Sequence, residues 1–136
     1  MRITMENRYL YRGITDKGEW DGEWVFGHYA FIPKSEFCAH DRHFIARVLP
    51  EDKDDLDHEL IIPETLGQCT GLKDKNGKLI FEGDIVLNEE NNRCVIVYSS
   101  DTTGFCMWCE RYDIRYNLSD RNNLEVIGNI HEKHKS

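Results

Sequence analysis

Apolar residues in this chain fall in short runs, and none repeats at helical spacing over a dozen positions. The first third is rich in aromatic and β-branched residues. Runs at 9–13 and 23–33 are bounded by Gly and Pro, which predicts a meander of two strands. Between them, residues 16–22 hold two glycines and two aspartates and suit a turn or exposed loop. Residues 43–49 predict a third strand ending at Pro50, and residues 60–63 a short one stopped by Pro63. Further on, 79–81, 85–87, 93–98, 104–108 and 124–130 are strand-like, with polar turns at 88–92 and 99–103. The segment nearest to a helix is 110–117.

Asn76-Gly77 lies between two apolar runs and predicts a hairpin with a type I′ turn, because that turn needs positive φ at both central residues. Gly83 allows a kink or bulge. The short carboxylate of Asp84 beside it can accept backbone N–H bonds in a bend. Together these signals predict a mainly β fold with little helix: an N-terminal aromatic-rich antiparallel sheet and a C-terminal small barrel. The opening of that barrel, Gly-Asp before Ile85-Val86 and then a hairpin into Val95-Ile96-Val97, resembles SH3-like domains in pattern. The predicted modules are 1–63 and 64–136, or one integrated domain sharing a core.

Residues 51–59 carry six carboxylates in nine positions, a run that repels itself and predicts a solvated loop. With 136 residues, 40% hydrophobic and 11% aromatic, the chain has enough apolar side chain to build a core. No apolar run approaches the roughly 20 residues of a membrane helix. The first six residues lack a secretory apolar stretch, so a cytoplasmic location is expected, with the five cysteines as reduced thiols. Net charge is −8, which disfavours a general nucleic-acid binder, whose affinity comes from Lys and Arg against phosphate.

Candidate chemistry is sparse. Cys106 and Cys109 have the spacing of half a zinc site, and Cys38 with His40 or His43 is the available second half. Adjacent strand residues face opposite ways, however, so no metal site is expected. His40-Asp41-Arg42-His43 has no nucleophile motif beside it. The glycines and lysines from Gly71 to Gly83 lack phosphate-loop spacing, and no helix follows them. Neither catalytic residues nor a cofactor site is expected. Trp20, Trp24, Phe26 and Tyr29 are the candidate interaction residues, since Trp and Tyr are enriched at protein contacts. With bases nearby they could instead stack single-stranded nucleic acid.

Four blocks carry a family resemblance. Glu23-Trp24-Val25-Phe26-Gly27, Pro63 to Gly77, Phe81-Glu82-Gly83-Asp84-Ile85-Val86 and Glu125-Val126-Ile127-Gly128-Asn129-Ile130 resemble, in order and spacing, blocks of YopX-type phage proteins. Cys69 stands where those proteins commonly carry an aromatic, and the 51–59 run and the Cys106/Cys109 pair are departures. The resemblance implies a mainly β protein of phage or prophage origin and supplies no catalytic residue. The expected role is binding to a host or phage protein, and self-association through exposed strand edges is also expected. The alternatives are a nucleic-acid-binding module with a local basic or aromatic face, and a small metal- or thiol-dependent enzyme.

Overall fold

The computed structural model describes residues 10–16, 22–48, 56–118 and 123–132. These residues form a mainly β fold of eleven antiparallel strands and two single 3-10 turns, at Pro63–Thr65 and Glu110–Tyr112. The chain packs as two units, divided between Gln68 and Cys69.

In the first unit, β1 (Tyr11–Ile14), β2 (Trp24–Ile32), β3 (Arg42–Val48) and β4 (Leu56–Leu60) lie in the order β4-β3-β2-β1. The first residues of β5 (Gly67–Lys73) add to β1, with Gln68 opposite Tyr11 and Gly67 opposite Arg12. Alternation puts Val25 of β2 and Ile45 of β3 on one face, where they pack with Ile61. Tyr11, Tyr29 and Leu66 close around them. Gly27 is required by close approach, because a Cβ there would lie 2.3 Å from the carbonyl oxygen of Ala46. Buried Thr65 accepts the Ile14 N–H at 2.9 Å and donates its hydroxyl to the Ile62 carbonyl at 2.6 Å.

Two expectations are corrected in this unit. Residues 56–59 belong to strand β4, not to the acidic loop, and residues 51–55 lie outside the described residues. An edge strand tolerates charge because one of its sides faces water. Leu56, His58 and Leu60 supply the period-2 pattern, with Leu60 opposite Phe44 in β3. The strand therefore ends at Leu60 where the sequence suggested it would begin.

The second unit takes the rest of β5, which pairs with β6 (Leu79–Phe81), and a five-stranded sheet. That sheet contains β7 (Asp84–Leu87), β8 (Arg93–Ser99), β9 (Gly104–Cys109), β10 (Ile114–Asn117) and β11 (Glu125–Asn129). Its order is linear, β10-β9-β8-β7-β11, with β10 and β11 at the edges. Ile80, Val86, Ile96, Met107, Leu118 and Leu124 form the core. Each such side chain contributes about 1.5–3 kcal/mol when fully buried. The suggested helix at 110–117 is a 3-10 turn followed by β10, since Asp113 turns left-handed at φ 51° and breaks the run.

The hairpin at Asn76-Gly77 forms, but not with a type I′ turn. Only Gly77 has positive φ, at 85°. Its N–H bonds to the Asp74 carbonyl at 3.0 Å, and the Asp74 N–H bonds to the Lys78 carbonyl at 2.8 Å. Asp74 explains the difference. Its Oδ1 accepts the N–H groups of Asn76 and Lys78, both at 2.9 Å, and so holds residues 75 and 76 in a tighter turn. Its Oδ2 accepts the N–H of Val126 at 3.0 Å, while Lys75 N–H reaches the Leu124 carbonyl at 2.9 Å. One buried carboxylate thus fastens the hairpin to the start of β11. At the other signature turn, Gly83 has φ 92°, and Asp84 Oδ2 accepts the Phe81 N–H at 2.8 Å. The bend there is a tight turn that takes the chain from β6 into the five-stranded sheet. Register shifts lie instead in β5, between Cys69 and Lys73, and in β11, between Val126 and Gly128.

Cys94 and Cys109 form a disulfide, which corrects the expectation of five reduced thiols. Val95 pairs with Trp108 across β8 and β9, so the same register sets Cys94 directly opposite Cys109. Their Cα atoms are 4.3 Å apart, close to the spacing of a non-hydrogen-bonded antiparallel pair. Cys38, Cys69 and Cys106 are not disulfide-bonded.

Replacing Asp74 by Ala leaves three backbone donors without their carboxylate, and should lower stability by about 3–4 kcal/mol. Gly77→Ala, where the added Cβ meets open space, should cost only about 1 kcal/mol, for its left-handed backbone. Urea unfolding of both variants checks the difference. Peptide mapping without reductant should recover Cys94 linked to Cys109. The double Cys→Ala variant should lose about 3 kcal/mol, the value for a loop of this length.

Candidate functional site

β2 is nine residues long and apolar on both faces. One face carries Val25, Gly27, Tyr29 and Phe31, and its first part is spent on the core of the unit. The other carries Trp24, Phe26, His28, Ala30 and Ile32. Register with β3 and β4 arranges this second face in rows: His28 beside Ala46 beside His58, then Ala30 beside Phe44 beside Leu60, then Ile32 beside Arg42. Phe26 lies opposite Arg12 of β1.

Much of this face is open to solvent. Phe26 is 44% exposed, Ile32 42% and Leu60 39%. On the opposite face Phe31 is 47% exposed, and Phe37, on the tight turn closed by Ser35 and Cys38, is 90% exposed. Large apolar side chains exposed together on one sheet face mark a contact surface more often than scattered single ones do. Trp24, at the other end, is partly covered, with the Arg12 guanidinium 4.4 Å above its ring.

The four candidate interaction residues are thus separated. Trp24 and Phe26 share the open face. Tyr29 points to the opposite side, and Trp20 lies outside the described residues. The Tyr29 hydroxyl is 2.6 Å from His43 Nδ1, and its ring packs against those of Tyr11 and His43. Partial burial raises the Tyr29 pKa above its ordinary value, and neighbouring Tyr11 adds to the rise. Ile32, Phe37 and Leu60 were not among the sequence candidates. A signal for Ile32 existed: apolar residues in both alternating sets of one nine-residue strand.

The catalytic and metal readings find little geometry. His43 is engaged by Tyr29 and by the Phe31 ring, whose centroid is 4.9 Å away. Cys109 is spent in its disulfide, and Cys106, three positions back in β9, faces the other side of that strand. Among the described residues, no three His, Cys, Asp or Glu side chains group as metal ligands. A cavity of about 280 Å³ beside Cys106 is lined by Asp101, Phe105, Arg115 and Tyr116, without a histidine that could serve Cys106 as base. No helix among the described residues is long and apolar enough to cross a membrane.

No curated protein matches the sequence. The family model described as YopX protein matches residues 22–135, which takes in β2 through β11 and both turn signatures. The chain belongs to the YopX family.

Proposed function

We propose that this protein is a non-enzymatic phage or prophage accessory factor that acts by binding another protein, of host or phage origin, in the bacterial cytoplasm. The observation that carries the reading is the open apolar face of the first unit: Phe26, Ile32 and Leu60, with Phe44 between them in register. An apolar centre rimmed by His28, Arg42 and His58 has the make-up of a protein interface, with aromatic and aliphatic anchors inside a polar border. Isologous self-association through the same face is the simplest form of such binding. Net charge of −8 argues against a polyanionic ligand. The second unit is read as SH3-like on its short strands and tight turns, an analogy that bears on fold and leaves function to the surface. The disulfide is compatible with a reducing compartment because both cysteines are buried in the core, where a thiolate has poor access.

Phe26→Ser combined with Ile32→Ser tests this reading. Both side chains are exposed, so the variant should unfold within about 1 kcal/mol of the wild type. Capture of the partner from host cells, or self-association followed by sedimentation, should weaken at least tenfold if these residues are interface anchors. Unchanged capture and unchanged sedimentation would remove the face from the account.

A further inference from the structure

The second unit carries a different surface, on the side of its five-stranded sheet away from the core. In β8 the core takes Cys94 and Ile96, so Arg93, Val95 and Val97 face outward. Val95 pairs with Ile85 on one side and with Trp108 on the other, and this row continues the outward face. Over it lies a groove of about 650 Å³, within the range of ligand sites in general. Ile85, Val95 and Ile130 give it an aliphatic lining; Arg93, Arg111 and Glu110 give it charge.

Two guanidinium groups share this groove, on a chain whose net charge is −8. Among the described residues neither is ion-paired, although the Glu110 carboxylate lines the same groove. Arg111 lies 5.5 Å over the Tyr112 ring, which leaves the edge of its fork open to an acceptor. Arginine matches carboxylates by paired N–H bonds, and the aliphatic lining takes an apolar side chain.

We infer that this groove binds an extended acidic peptide of a partner protein, seating a carboxylate on Arg93 and Arg111 and a neighbouring aliphatic side chain on Ile85, Val95 and Ile130. The lining decides between peptide and nucleic acid. Single-stranded nucleic acid needs aromatic platforms, and the apolar residues that line the groove, Ile85, Val95 and Ile130, are aliphatic. A polyphosphate backbone would also meet Glu110 and the negative charge of the whole chain. A short peptide with a few carboxylates meets only the two arginines. This surface lies on the second unit and does not depend on the open face of the first.

The probe is a fluorescein-labelled, end-blocked octapeptide of alternating leucine and glutamate, titrated with the full chain and followed by anisotropy. Saturable binding is expected, at least tenfold weaker for R93Q/R111Q and at least tenfold weaker when glutamine replaces glutamate in the peptide. K78Q, which removes an exposed charge on the Asn76-Gly77 hairpin, should bind as the wild type does. Arg93 and Arg111 are exposed, so circular dichroism of the double variant should match the wild type and exclude unfolding as the cause. The inference is overturned if the peptide does not saturate, if the glutamine peptide binds equally, or if R93Q/R111Q binds unchanged. It is equally overturned if a 20-mer of deoxythymidine binds more tightly than the peptide and is lost in the same variant.

Discussion

A β-strand has two faces, and a small sheet with one core can cover only one of them. In β2 both faces are apolar. Val25 and Tyr29 are taken by Ile45, Ile61 and Tyr11. Phe26 and Ile32, on the other side, remain 44% and 42% exposed. Antiparallel register then lines them up with Phe44 and Leu60, so that one strand's alternation becomes a surface three strands wide. At roughly 25 cal/mol per Å², exposing such side chains forgoes stabilisation that a partner could recover on binding. The proposed role rests on this constraint, and among the described residues no three His, Cys, Asp or Glu side chains group as metal ligands.

The second unit solves its construction differently. Its core is finished by Ile80, Val86, Ile96 and Met107, and its accuracy comes from buried polar atoms at the turns. Asp74 and Asp84 are both buried, and each is held by backbone donors, which is what makes burying a carboxylate tolerable. Asp74 does more than shape its own turn. By accepting the Val126 N–H, 52 positions later in the chain, it fixes where β11 begins. The family blocks around residues 74–77 and 125–130 are therefore two sides of one hydrogen-bonded contact.

Strand content and most turns were legible in the sequence, because Gly, Asn and Pro punctuate apolar runs for local reasons. The misses were nonlocal, one turn excepted. The type of turn at Asn76-Gly77 was decided by the side chain of Asp74, and the strand at Leu56–Leu60 by the availability of the β3 edge. The Cys94–Cys109 bond needed the register of β8 and β9, whereas spacing along the chain directed attention to Cys106 and Cys109, which lie on opposite sides of one strand. Of the site, Trp24 and Phe26 could be picked by residue type. Tyr29 was grouped with them by the same rule, and parity along β2 sends it to the core side. Leu60 could not be found without knowing its partner strand.

The most direct test of the open face compares its solvent access in two settings by hydroxyl-radical footprinting. The dilute purified protein and the same protein expressed inside bacterial cells would be labelled under matched radical dose. The account predicts that Phe26, Ile32 and Leu60 are oxidised readily when the protein is alone and are protected several-fold in the cell. Phe105, partly buried against the core of the second unit, should label equally in both. Equal labelling of Phe26, Ile32 and Leu60 in the two settings would contradict the claim that this face is a binding surface.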